Sequence, residues 1–171
     1  MRLTALVLFV AAALCLPTNA AIAEPANFSG HWVIDEDASD SMDAILKLQD
    51  ISWVLRKAAE GLDHEVTIKQ EATQLTATFD NLLGNAVQVL VFDGKPHKTQ
   101  NPAGGEVIWS TSWNDDQTTL ISSGPTTTEG VSAILTEKRS LSADGSQMIL
   151  AVEVVTSDGQ KGKANRIFKR Q

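Results

Sequence analysis

Short segments of alternating or β-branched residues, each ended by turn-forming residues, fill the chain from His64 to its last residues. Asp93-Gly94, Asp144-Gly145 and Asp158-Gly159 mark three of the turns, because Asp and Gly tolerate the positive φ that tight hairpins require. Strands joined by such short turns pair antiparallel, since a parallel crossover needs a dozen or more residues. Ten strands are predicted, at Phe28–Ile34, His64–Gln70, Gln74–Asp80, Ala86–Phe92, Pro96–Gln100, Val107–Trp113, Thr118–Ser123, Gly130–Ser140, Gln147–Thr156 and Ala164–Arg170.

The predicted strands each carry one apolar face, and ten of them in succession favour a sheet that curls on itself. Closure into a barrel buries that face and removes the exposed sheet edges. We therefore expect an all-β fold, an antiparallel up-and-down β-barrel of about ten strands with one helical insert after the first strand. A sandwich of two sheets is the alternative. The insert runs from Ser41 to Glu60, where apolar residues recur at three- and four-residue steps, as one helix or two short ones.

The first residues of the chain have the pattern of a signal peptide. Met1-Arg2 precedes an apolar run from Leu3 to Leu16, and Ala21-Ile22-Ala23 has the small-x-small form of a cleavage site. The apolar run is shorter than the ~20 residues that a membrane helix needs. We therefore predict a signal peptide at 1–23 and one barrel domain at 24–171.

Cysteine usage and charge restrict the compartment and the partners. The single cysteine, Cys15, lies in the predicted leader, so no disulfide is expected in the mature domain. Export without disulfides favours the bacterial periplasm or the extracellular space. With 21 acidic and 14 basic residues the net charge is −7, which argues against nucleic acid as a partner. No second segment could span a bilayer, and a soluble domain is expected.

No pattern of residues indicates catalysis, a cofactor or a metal ion. His31, His64 and His97 lack the close spacing of metal ligands, and no Gly-x-Ser-x-Gly turn carries a nucleophile. The acidic stretch that begins at Asp35 fails as a calcium loop, because Leu46 stands where a bidentate Glu is required. We expect no enzyme, no cofactor and no metal site.

The strand Val107–Trp113 carries two aromatic residues on one face. Trp109 and Trp113 are four residues apart, which places both side chains on the same side of a strand. They indicate either an aromatic-lined ligand cavity or a core filled by its own side chains. Both interpretations remain open at the level of sequence.

The Gly-x-Trp pattern of Gly30 and Trp32 on the first strand resembles the signature of the lipocalins, in the calycin superfamily. That resemblance implies that Trp32 plugs one end of the barrel against an arginine near the last strand. Arg166 is the residue predicted to do this, with Arg170 as the alternate.

The chain is also similar to the cytosolic fatty-acid-binding proteins, which begin with Phe-x-Gly-x-Trp and carry a helical insert after the first strand. Their last strand carries an Arg-x-Tyr pair that holds a carboxylate, and the matching segment here is Arg166-Ile167-Phe168, with a phenyl ring in place of the phenol. The resemblance implies ligand contacts from Arg166, Phe168 and, as a second carboxylate partner, Arg139. It also implies that the helical insert covers the barrel mouth, with Trp53 facing the cavity.

Two functions follow from these predictions. The first is an exported, lipocalin-like binding protein for a small hydrophobic or amphipathic molecule such as a lipid, with Trp109, Trp113, Arg139, Arg166, Phe168 and Trp53 as ligand-binding residues. The alternative is a filled barrel that acts through its loops as a protein-interaction or inhibitor module. Its contacts would be Leu82-Leu83, 101–105 and 124–128.

Overall fold

Ten strands and two short helices make up the described residues of the computed structural model, which are 24–59, 65–81, 84–102 and 105–171. The strands are β1 (Gly30–Ile34), β2 (Glu65–Gln70), β3 (Gln74–Asn81), β4 (Gly84–Val91), β5 (Pro96–Gln100), β6 (Glu106–Trp113), β7 (Thr119–Thr128), β8 (Val131–Leu141), β9 (Gln147–Thr156) and β10 (Lys161–Arg170). The helices, α1 (Asp43–Leu48) and α2 (Trp53–Ala59), lie between β1 and β2. The insert is thus two helices, one of the two predicted forms.

All ten strands belong to one antiparallel sheet with the order β4-β3-β2-β1-β10-β9-β8-β7-β6-β5. The first and last strands pair side by side, and only β4 and β5 are left as edges. Side chains of β5 bridge this seam: Thr99 Oγ1 accepts the Val89 N–H at 2.7 Å, and Gln100 Oε1 accepts the Val87 N–H at 3.1 Å. The sheet is therefore a nearly closed up-and-down barrel, which confirms the predicted fold class.

Strand β7 is longer than the sequence predicts. Gly124 and Pro125 were expected to end it, but β7 continues to Thr128 and pairs with β8 along its whole length. A Cβ at Gly124 would lie 2.1 Å from the carbonyl oxygen of Ile108, so the glycine permits a close approach of β6 rather than a turn. The range 124–128 is consequently not a loop, and this part of the loop hypothesis is wrong.

The two ends of the barrel differ in what they carry. The helix end has α1, α2 and the β7–β8 and β9–β10 turns, whereas the closed end has the turns at 71–73, 92–95, 114–118 and 142–146. Helix α1 inserts Ile45, 1% exposed, among small and branched residues of β8, β9 and β10. This approach requires Gly162, where a Cβ would lie 2.9 Å from Leu48 Cδ1 and 3.3 Å from Ile45 Cγ1.

Helix α2 is attached to α1 by Arg56, whose Nε donates to Asp43 Oδ1 at 2.7 Å. Neither helix in the described part of the chain has the length and apolar character needed to cross a membrane. The predicted signal peptide at 1–23, Leu82-Leu83 and His64 lie outside the described residues.

Candidate ligand-binding interior

Large apolar side chains fill the closed end of the barrel. Phe28 stacks on Trp113 with ring centroids 5.8 Å apart and planes 7° apart, and Phe92 meets Trp113 edge-on at 5.5 Å. Around them lie Trp32, Leu75, Leu90, Leu120, Met148 and Phe168, all buried. Trp113 and Phe168, both predicted as ligand contacts, therefore belong to the packed core of this end.

Arg170, not Arg166, packs on Trp32. The Arg170 guanidinium carbon lies 4.2 Å from the Trp32 ring centroid, and Trp32 Nε1 donates to the Phe28 carbonyl at 2.9 Å. The predicted partner Arg166 is wrong, and the alternate is correct, because the β1–β10 register sets Trp32 directly opposite Arg170. Gly30 has a φ of +143°, and a Cβ there would lie 2.9 Å from Arg170 Nη1, so the glycine leaves room for this arginine.

Small side chains line the barrel wall between the closed end and the helices. A barrel of eight strands is just filled by its own side chains, and the diameter grows with the number of strands. Residues this short fill less of a ten-stranded barrel than the aromatic side chains of the closed end do. The small buried residues of β3 to β7 are Ala77, Ala86, Thr99, Thr111, Ser122 and Gly124.

Two arginines point into this interior. Arg139 on β8 is 4% exposed and Arg166 on β10 is 5% exposed. The register pairs Arg139 with Leu150 and Leu150 with Arg166, so the arginines occupy one cross-strand row with a single strand between them. Two strand spacings separate their Cα atoms by about 10 Å, a span that two arginine side chains can close.

Each arginine is incompletely paired. Arg139 Nη2 lies 3.8 Å from Glu137 Oε2, and Arg166 Nη1 donates to the Asp40 carbonyl at 3.2 Å while its Nη2 lies 3.8 Å from Glu36 Oε1. The Nε atom of each arginine is buried with no hydrogen-bond partner among the described residues. Both guanidinium groups can therefore donate further hydrogen bonds toward the interior.

The charge on Arg139 is held in a dry environment. Burial lowers the pKa of Arg139, and the nearby Glu137 carboxylate opposes that shift. Arginine stays protonated at neutral pH even so. Each buried arginine has one carboxylate at 3.8 Å, Glu137 beside Arg139 and the half-exposed Glu36 beside Arg166.

Two further polar side chains in the interior lack partners. Gln88 on β4 is 1% exposed, and Trp109 on β6 is 3% exposed. Neither amide atom of Gln88 nor the Trp109 Nε1 atom has a hydrogen-bond partner in the part of the chain that the structure describes. By contrast, Thr111 and Ser122 on the adjacent wall bond to each other at 2.9 Å.

Three of the predicted ligand-binding residues are buried in the barrel, Arg139 and Arg166 in one cross-strand row and Trp109 on the wall near the seam. The structure does not bring Trp53 there, since this side chain is 62% exposed on α2, and the expectation that it faces the cavity is wrong. Two interior polar residues, Gln88 and Glu137, were missed. A signal was present, because each alternates with buried residues on its strand.

A pocket of about 600 Å3 opens at the helix end, between α1 and the β9–β10 turn. Its lining residues are Ala44, Lys47, Leu48, Asp50, Gln160, Lys161 and Gly162. None of the predicted ligand-binding residues belongs to this pocket, which lies outside the interior described above.

Solved structures with the same architecture are lipid-binding proteins by description. REP1-NXSQ fatty acid transporter superposes with a TM-score of 0.66 at 15% identity, over 84% of this chain and 95% of that one. A Schistosoma mansoni fatty acid binding protein in complex with arachidonic acid gives 0.61 at 19% identity, over 84% and 96%. Apo Caenorhabditis elegans lipid binding protein 8 gives 0.62 at 17%, over 84% and 95%.

No protein-family profile and no curated protein sequence matches the chain. The likeness is one of fold, and this chain's fold has ten antiparallel strands, two short helices after the first strand, and adjacent first and last strands. The chain therefore shares the ten-stranded barrel fold of these solved structures.

Proposed function

We propose that this protein is an exported binding protein for a small amphipathic molecule, which lies in the barrel with its anionic group between Arg139 and Arg166. The observation that carries the proposal is the pair of buried guanidinium groups, each with an Nε–H that has no acceptor among the described residues. A buried donor without a partner is unfavourable by about 1–3 kcal/mol. An acidic ligand removes that penalty at both sites.

The chemistry of the two arginines suits a carboxylate. The two side chains enter from strands separated only by β9, and Leu150 stands between them. A carboxylate has two oxygens that accept charge-assisted hydrogen bonds, and guanidinium groups match this geometry. With Phe168 in place of a phenol on β10, the arginines supply the recognition without a third hydroxyl donor.

We infer that the remainder of the ligand is apolar, because it would lie against apolar side chains. Apart from the polar groups already described, the buried residues above the closed end are apolar, among them Val66, Ile68, Ala77, Phe79 and Ala86. The proteins with similar folds are described as a fatty acid transporter and a fatty acid binding protein in complex with arachidonic acid, which supports a long-chain acid as ligand. Such a ligand buries its hydrocarbon chain and neutralises one interior positive charge.

A displacement titration tests this proposal. Purified protein is loaded with a fluorescent fatty acid, and hexadecanoic acid and hexadecane compete for the site, with native mass spectrometry to count bound molecules. We expect one acid bound per chain and at least a tenfold preference over the alkane. The variant Arg139→Met should lose most of that preference, whereas Lys138→Met, a matched change on the outer face of β8, should retain it.

Removal of Arg139 also leaves Glu137 without its nearby cation, so the fold of the variant needs a check. The double variant Glu137→Gln/Arg139→Met removes both charges, and its binding is compared with that of Glu137→Gln alone. Thermal unfolding of each variant separates loss of fold from loss of site. Equal binding of the acid and the alkane by folded protein would contradict the proposal.

Export is the second part of the proposal, and it rests on the signal-peptide pattern of residues 1–23. Expression of the full chain in a bacterium, followed by cell fractionation and intact-mass measurement, tests it. We expect a periplasmic or secreted product that begins at Glu24. A cytoplasmic product that retains Met1 or Arg2 would refute this part and leave ligand binding unaffected.

A further inference from the structure

Gln88 and Trp109 project from the wall around the barrel seam, away from the two arginines. Strands β4 and β6 flank the short strand β5 and contact one another. Arg139 and Arg166 come instead from β8 and β10. A ligand whose acid is held by the arginines would reach Gln88 and Trp109 only with its body.

The unpaired atoms on this wall define which chemical group they can bind. The Gln88 amide offers donors at Nε2 and an acceptor at Oε1, and the Trp109 indole offers one donor. All three atoms are buried without a hydrogen-bond partner in the described chain. A hydroxyl group both accepts and donates, so it can satisfy the indole or amide N–H and the amide oxygen. A hydrocarbon chain satisfies none of them.

We propose that Gln88 and Trp109 form a second subsite, which binds a hydroxyl group on the body of the ligand. The preferred ligand class is then a hydroxylated amphipathic acid rather than a simple fatty acid. This inference rests on the proposed function, because the arginines fix the acid and thereby the position of the hydroxyl. Sites built to bind a hydroxyl group discriminate against the analogue without it, since their buried polar groups are left unpaired.

A matched set of ligands tests the subsite. Hexadecanoic acid and hexadecanoic acids with a single hydroxyl at different carbons compete against the fluorescent fatty acid on the full-length mature protein. We expect one positional isomer to bind about tenfold or more tightly than the unsubstituted acid. In Gln88→Leu this preference should disappear while the affinity for hexadecanoic acid is kept or increased. Gln74→Leu, the same change at a position of β3 that alternates with the buried Leu75, Ala77 and Phe79, should leave the preference intact.

Three outcomes would overturn the proposal of a hydroxyl-binding subsite. All isomers bind no more tightly than hexadecanoic acid, or Gln88→Leu retains the preference, or no acid binds at all. The first two leave the proposed function standing, whereas the third refutes both proposals together. If Gln88→Leu does not fold, Trp109→Phe keeps an aromatic ring and removes the indole N–H. That variant should reduce the preference for the hydroxylated isomer, and an unchanged preference would overturn the assignment.

Discussion

Replacement of Arg170 by methionine tests the closed end of the barrel, where the structure departs from the prediction that Arg166 packs on Trp32. Arg170 lies over the Trp32 ring at 4.2 Å and donates to three backbone carbonyls, at 2.6 Å to Ser29, 3.2 Å to Gly145 and 3.4 Å to Asn27. These contacts join the segment before β1, the β8–β9 turn and the end of β10. We expect Arg170→Met to loosen all three.

The expected loss of stability in Arg170→Met is the sum of two contributions. A cation over an indole at an exposed site contributes about 0.5–1 kcal/mol. Hydrogen bonds from a charged donor contribute more when buried, but Arg170 is exposed, so about 1 kcal/mol for the three together is a reasonable estimate. The sum of about 2 kcal/mol corresponds to a fall of about 4–8 °C in the melting temperature of a domain of this size.

Calorimetric and circular-dichroism melts of Arg170→Met and a set of matched variants measure this effect. Arg170→Lys keeps the positive charge but not the planar guanidinium group, so we expect it to lower the melting temperature about half as much as Arg170→Met. Lys163→Met, on the outer face of the same strand, should change the melting temperature little, because its ion pair is 3.9 Å long and exposed. A double-mutant cycle with Trp32→Phe should show coupling to Arg170 and none to Arg166. Coupling to Arg166, or an Arg170→Met melt equal to that of Lys163→Met, would refute the reasoning.

Three further predictions concern α1, acid stability and the interior charge. Gly162→Val should reduce the free energy of unfolding, measured in urea, by about 1–3 kcal/mol, because a side chain there collides with α1. An unchanged urea midpoint would contradict the packing of α1 on β10. The pKa of Asp144 is lowered to about 2 because Ser142 and Ser146 donate to its carboxylate. The ionised carboxylate therefore stabilises the fold above its ordinary pKa, and this contribution is lost as the pH falls toward 2. Asp144→Asn should make the free energy of unfolding fall less steeply between pH 5 and pH 2 than it does in the unmodified protein. An equal slope in both proteins would show that the carboxylate does not contribute. Glu137→Gln should tighten binding of an anionic ligand about threefold to tenfold in the displacement titration, since it removes the negative charge near the arginines; weaker binding would indicate that Glu137 orients Arg139 instead.

Local patterns in the sequence were sufficient to predict most strands. Strands Pro96–Gln100 and Gln147–Thr156 have the predicted ends, because period-two alternation and turn residues are local properties of the chain. The error at Gly124 has a non-local cause. Glycine and proline ordinarily mark a turn, but here the glycine accommodates the carbonyl of Ile108 on a neighbouring strand. No local pattern distinguishes these two uses of glycine.

The side chains inside the barrel were harder to predict, because their neighbours depend on the strand register and on tertiary contacts that no local pattern shows. Arg166 and Arg170 differ by four residues, so both face the same side of β10, and only the pairing with β1 decides which one meets Trp32. Trp53 lies on a seven-residue helix, α2, whose orientation depends on contacts with α1. The two arginines of the proposed site were predicted from resemblance. Gln88 was missed: its alternation with Ala86 and Leu90 indicates an inward side chain, but not whether that side chain has a partner.

The division of the barrel into a packed closed end and a polar middle explains how one small domain can keep buried groups unpaired. One cross-strand row runs from Trp113 through Leu120, Arg139 and Leu150 to Arg166, and its first members belong to the aromatic core. The large side chains of the closed end bury apolar area that offsets the penalty of the unpaired polar atoms above them. Because the same strands extend from that core to the arginines, the guanidinium groups are held in place before a ligand arrives. Preorganisation of this kind lowers the entropy lost on binding, so a substitution that loosens the closed end should weaken ligand affinity as well as stability.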